Sequence, residues 1–120
     1  VAGTKLMAEW FWTDRWTGSR GHSLPLHARG LYRELLTQAW RRGASLPANI
    51  EDLQKICAVT PKEWRQAWPL VEPFWRLDGD RLVNDTQLEV YAEAERRSAF
   101  FKSRASRAAR ARWNGASSNA

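Results

Sequence analysis

The sequence predicts an α+β fold: a strand, three helices, a β-hairpin and a long final helix. Three observations carry the prediction. Apolar residues recur at helical spacing from Ala28 to Arg42, the start Thr60-Pro61-Lys62-Glu63 opens a second kind of helix signal, and Asp78–Gly79 separates two short strand-forming runs. A first strand paired with the hairpin would close three helices with a small antiparallel sheet, which is a winged-helix arrangement followed by a basic C-terminal helix.

The first element is the aromatic stretch EWFWTDRW at 9–16. Read as a strand, it places Trp10, Trp12 and Trp16 on one side. The stretch 17–23 has loop composition, and a helix is expected to start near Ser23–Pro25, with a hydroxyl as cap and proline in the first turn. From Ala28 to Arg42, residues Ala28, Leu31, Tyr32, Leu35, Leu36, Ala39 and Trp40 form one apolar face, and Gly43 is placed to end the helix. Ser45–Asn49 turns the chain. Asn49 can cap a short second helix with Ile50, Leu53, Ile56 and Cys57 inward.

Thr60, Pro61 and Glu63 then spell a capping box, and Trp64, Ala67, Trp68 and Val71 give the third helix its apolar face. Pro69 is expected to kink or end it. The short spacing between the second and third helices is that of a helix-turn-helix, although an ordinary helical hairpin has the same spacing. In the hairpin, a type I′ turn at Asp78–Gly79 puts Trp75 opposite Leu82 and Arg76 opposite Arg81, two like charges that invite an anion. After a cap at Asp85–Thr86 the sequence turns helical and runs into the basic end.

Charge is the strongest functional signal. Of 19 Lys and Arg residues, 12 lie in residues 1–95 beside all 13 Asp and Glu, and 7 lie in 96–120 beside none. A body of net −1 thus carries an end of net +7, the pattern of a globular core with an arm for nucleic acid or a membrane surface. On a helical wheel of about 100° per residue, Arg96, Arg97, Arg104, Arg107 and Arg112 fall within about half the circle, with Lys102 and Arg110 outside it. Phe100 and Ala111 sit among the arginines and Phe101 nearer the edge, so the helix is not cleanly amphipathic and a membrane-surface role is disfavoured. Repulsion predicts a segment frayed when free and helical along phosphates. Seven phosphate contacts on a duplex would give a slope of log K against log salt of roughly −6. The plain alternative is a solubilising tail. Trp113 can stack on a base or pack on the domain.

Secondary contacts are expected from Lys62 and Arg65 on the third helix, and from Arg76 and Arg81 on the hairpin. Glu63 and Glu72 dilute the first pair, and Asp78 and Asp80 at the hairpin tip oppose a phosphate. Trp10, Trp12 and Trp16 are candidate interface anchors. His22, His27 and the single cysteine, Cys57, form no ligand or nucleophile pattern, and there is no phosphate loop or dinucleotide fingerprint. No catalytic residue, metal or cofactor is therefore predicted.

The segments HARGLYRELLTQAW (27–40), LPANIEDLQKICAVTPKEWRQAWPLVEPFW (46–75), DGDRLVNDTQLEVYAEAERR (78–97) and AARARWNG (108–115) resemble, in that order, a bacterial phage and prophage domain family of unknown function. Some of its members are similar to the N-terminal part of phage replication-initiator proteins of the lambda O type. The resemblance spans about residues 10–114. It implies a winged-helix fold, a prophage origin and a role in DNA replication or its regulation, and it supplies no catalytic residues. FWTDRW (11–16) departs from the family's Tyr-Pro-x-Asp-Trp strand by lacking the proline, and a longer Gly-rich loop follows.

The expected organisation is a disordered or cloning-derived start at 1–8, a winged-helix domain at 9–85, a helix with a basic arm at 86–114 and a flexible end at 115–120. The expected partner is nucleic acid, DNA before RNA. The rival is an adaptor or inhibitor that binds a host or phage replication protein. One cysteine, no secretory segment and no transmembrane run point to a cytoplasmic protein, and the resemblance implies that this cytoplasm is bacterial, with association to the nucleoid. No membrane partner is expected, and pairing of the long final helix with a second copy is left open.

Overall fold

The computed structural model describes residues 8–10, 15, 16 and 18–118, the last four by backbone alone. The fold is α+β. It comprises α1 (Leu26–Arg41), β1 (Leu46–Pro47), α2 (Ile50–Cys57), α3 (Pro61–Val71), β2 (Arg76–Asp78), β3 (Arg81–Val83) and α4 (Asp85–Ser118). Single 3₁₀ turns at Gly21–Ser23 and Glu72–Phe74 precede α1 and follow α3.

α1 is the central wall. Its periodic residues Ala28, Leu31, Tyr32, Leu35 and Ala39 are buried against Leu53 and Cys57 of α2 and Trp64, Ala67 and Val71 of α3. No side chain caps its start, so Ser23 does not play the expected role. Its end is closed as expected. Gly43 (φ +82°) and Ala44 (φ +69°) turn left-handed, and their amides donate to the carbonyls of Trp40 and Ala39. Asn49 caps α2 by accepting from the Asp52 amide at 3.1 Å. The capping box of α3 is complete: Thr60 Oγ1 accepts from the Glu63 amide, and Glu63 Oε1 accepts from the Thr60 amide.

One helix expectation fails, and one of two outcomes expected at Pro69 does not occur, each for a local reason. Ile50 is 51% exposed, because the first residue of α2 precedes the turn that meets α1. Pro69 does not end α3, which continues to Val71. Proline deprives only the Arg65 carbonyl of its donor, and Arg65 and Pro69 both lie on the exposed side, where water can serve that carbonyl.

The sheet departs further from expectation. Its strand order is β1-β3-β2, all antiparallel. The third strand is Leu46–Pro47, from the turn between α1 and α2. Of the aromatic stretch at 9–16, residues 11–14, including Trp12, lie outside the described residues, Arg15 and Trp16 are helical, and Glu9 and Trp10 belong to no strand. Leu46, fully buried opposite Leu82, brings the apolar side chain that this edge of β3 needs. Pro47, with no N–H to offer, suits the outer strand.

The hairpin register is also shifted. Arg76 faces Val83, Leu77 faces Leu82 and Asp78 faces Arg81, so the loop is Gly79–Asp80 and Arg76 does not oppose Arg81. Only Gly79 (φ +64°) is left-handed, which rules out the type I′ loop. The observed pairing sets opposite charges across the strands where the expected one set like charges.

α4 starts on Asn84, whose Oδ1 accepts from the Gln87 amide at 2.9 Å, and not on a cap at Asp85–Thr86. Asn84 is buried, and its Nδ2 donates to the Tyr32 hydroxyl and the Phe74 carbonyl. Gln87 is buried too and donates to the Leu36 carbonyl at 2.6 Å. One turn on, Tyr91 and Ala94 join Trp40 and Ala44 in a second apolar cluster, flanked by Trp10, Leu88 and Val90. Ala94 is the last buried residue of the chain among those described. From Ala99 to Asn114 every side chain is exposed. The helix therefore leaves the body and stretches the molecule to 70 × 30 × 23 Å.

Candidate nucleic-acid interface

The seven basic residues predicted for the arm all lie on α4. They fall into two groups. Arg96 and Arg97 sit at the root, where both pair with Glu93 one turn back. Hydrogen bonds from Arg96 and then Arg97 hold the Glu93 carboxyl below its usual range. The Arg97 guanidinium also lies 5.4 Å from the centre of the Trp10 ring, tying the N-terminal segment to the arm's root. Lys102, Arg104, Arg107, Arg110 and Arg112 form the second group. All are exposed, and none pairs with a carboxylate among the described residues. Arg107 touches only the Ser103 hydroxyl, at 3.3 Å. The body thus leaves five cations of the arm without a counter-charge.

α4 runs as helix through this segment. Its root, packed through Asn84, Gln87, Tyr91 and Ala94, supplies the nucleus that a free basic peptide lacks. The wheel read from the sequence therefore applies to the arm. Trp113 is 73% exposed and does not pack on the domain, and Phe100 and Phe101 are 56% and 62% exposed.

The hairpin arginines are engaged within the protein. Arg76 makes a forked contact with Asp85 at 2.7–3.3 Å, which lowers the Asp85 pKa and raises that of Arg76. Arg81 donates to the Ser45 hydroxyl at 3.1 Å and to the Ser45 carbonyl at 3.3 Å. They hold the ends of the sheet to the start of α4 and to the loop before β1. The anion site imagined between them does not form. Lys62 and Arg65 are exposed on α3, while Glu63 is occupied by the capping box and its pKa lowered by its hydrogen bond to the Thr60 amide.

Of the tryptophans expected as interface anchors, Trp10 and Trp16 pack on the body, and Trp12 lies outside the described residues. Trp16 packs on Tyr32 (5.7 Å between ring centres) and His22, with the Arg33 guanidinium 5.3 Å from its ring. Trp10 flanks the second apolar cluster. Close packing here leaves no room at Gly21, where a Cβ would lie 2.3 Å from the Tyr32 ring. Between this segment, α1 and the root of α4 lies a cavity of about 390 Å³, walled by Trp10, Trp16, Tyr32, Trp40, Phe74 and Gln87. Sequence reasoning missed the buried Asn84–Gln87 pair that anchors the arm. The Asn-x-x-Gln spacing ahead of an apolar run was the available signal.

Cys57 is buried, and desolvation pushes its thiol up to about 12. Among the described residues no three of His, Cys, Asp and Glu converge as metal ligands, and no helix is long and apolar enough to cross a membrane. Compared with models of protein families, with curated proteins and with solved structures, the chain matches none.

Proposed function

We propose that the chain is a non-catalytic nucleic-acid-binding protein, a winged helix carrying a helical cationic arm. The observation that carries the reading is the segregation of charge. Five arm cations extend past the last buried residue of the body with no carboxylate beside them among the described residues. Such an array is favourable only where counterions or a polyanion neutralise it, and release of condensed counterions drives its attachment to phosphates. Three helices with a small antiparallel sheet, and only Ala58–Thr60 between α2 and α3, support the winged-helix and helix-turn-helix assignments. Lys62 and Arg65 on α3 serve as secondary contacts. Arg76 and Arg81 act as braces within the body and not as contacts. Binding is mainly to phosphates, with little sequence preference.

The resemblance to phage and prophage domains supports reading this activity as part of the initiation or control of DNA replication, in a bacterial cytoplasm near the nucleoid. The test is an anisotropy titration across salt with DNA, comparing the full chain with one ending at Glu95. Both apolar clusters are complete by Ala94, so the shorter chain keeps its core. With five contacts on duplex DNA, log K falls against log salt with a slope of roughly −4 to −5. The full chain with Arg104, Arg107 and Arg110 changed to Gln should lose roughly three of those contacts. Binding that survives removal of 96–120 overturns the reading. Capture of an acidic replication protein that withstands nuclease and high salt, with no binding to DNA, would establish the adaptor instead.

A further inference from the structure

We infer that the arm prefers unpaired nucleic acid, with Phe100 as the platform on which a base stacks. This rests on the nucleic-acid reading above and names the form of its ligand. Phe100 has Arg96 and Arg97 at i−4 and i−3, and Arg104 and Arg107 at i+4 and i+7. On a continuous helix those four residues share one face with the ring; Arg96 and Arg97 turn back to Glu93, and Arg104 and Arg107 have no carboxylate beside them among the described residues. The ring is 56% exposed, and an open recess lies between Arg96, Arg97, Phe100 and Phe101. The Phe101 ring backs it edge to face, with ring centres 5.8 Å apart. Trp113, on the other side of the helix, takes no part.

A duplex has no use for such a ring. Its bases are already stacked on both faces. It offers the ring a thymine methyl at the groove floor, or a base step opened at a cost of a few kcal/mol. An unpaired strand offers a whole base face, while its phosphates meet Arg104 and Arg107 on the same side of the helix. Electrostatics alone favours the opposite order, because the salt slope per contact is about −0.9 for duplex DNA and about −0.7 for single strands. A preference for single strands therefore has to come from stacking. Both single-stranded DNA and single-stranded RNA present that chemistry.

The experiment titrates the full chain with duplex DNA, oligothymidylate and oligouridylate of equal phosphate number at one salt concentration, then repeats it with Phe100 variants. The expected result is that the single strands bind about tenfold more tightly than the duplex. Phe100→Leu, which keeps bulk and loses the π face, should remove about that factor on single strands, leave duplex binding and the salt slope unchanged, and leave the circular dichroism unaltered. Phe100→Tyr should retain the preference. Equal or tighter duplex binding overturns the inference, as does wild-type binding by Phe100→Leu, while the salt slope of the full chain still stands for the arm. Absence of salt-dependent binding to any of the three overturns the nucleic-acid reading itself. Tighter binding to oligouridylate than to oligothymidylate would identify RNA as the source of the strand, and the reverse DNA.

Discussion

The two halves of α4 obey different physics. Residues 85–94 are fixed by burial: Gln87, Tyr91 and Ala94 face α1, and Asn84 bonds to Tyr32 and Phe74 of the body while capping its own helix. Residues 99–114 are exposed at every side chain, and among the described residues none pairs with a carboxylate of the body. The first half is governed by packing, where each methyl group counts. The second is governed by long-range charge, where composition matters more than shape. One helix thus joins a region intolerant of substitution to one that should accept most changes that keep its charge.

That contrast can be broken or sharpened by substitution. The largest effect on stability is expected for Leu35→Ala, at the fully buried centre of α1, with a loss of about 3–4 kcal/mol in denaturant unfolding. Its salt slope on nucleic acid should not move. Asn84→Ala should lose about 2–3 kcal/mol, because it uncaps α4 and strands the Tyr32 hydroxyl and Phe74 carbonyl in the interior. Thr60→Ala, which opens the capping box of α3, should lose about 1 kcal/mol. Ala105→Pro, at the middle of the arm, should leave the unfolding midpoint of the body where it is. It should still lower the helical circular dichroism and weaken nucleic-acid binding. A midpoint shift as large as that of Thr60→Ala would show that the arm is coupled to the core.

Cys57 gives a pH test of the packed half. Its thiol is raised by burial from 9.0 to about 12. A raised pKa means that the fold favours the neutral thiol. Stability from this group is full below pH 9 and is lost as the pH climbs from there towards 12. Alkylation of folded protein should therefore stay slow at pH 9, where the unfolded chain reacts readily.

What the sequence disclosed follows the same division between local and distant causes. α1, the Asn49 cap and the Thr60–Glu63 box were legible because each signal lies within one or two turns of chain. The hairpin was legible, but its register was not. Register depends on Leu46 arriving opposite Leu82 from 36 residues away, and no pattern within 75–84 records that. A strand of two residues, Leu46–Pro47, has no period to detect, so the aromatic stretch at 9–16 took its place in the reading. Trp16 was read by parity as a strand residue, whereas its role is to cover Tyr32. The charge of the arm was plain from counting. Which cations the protein itself occupies was not. Arg76 and Arg81 are met by Asp85 and Ser45, which only the folded chain brings to them.

The uninterrupted passage from Asn84 into a 34-residue helix has a mechanical consequence. The stretch from Arg96 to Asn114 is about 28 Å long at the usual rise per residue. A sideways load at its tip acts on the body with that moment arm, and the torque is resisted at Asn84, Gln87 and the Trp40–Tyr91 contact. A polymer seated on the outrigger would consequently set the heading of the three-helix body and not merely its distance.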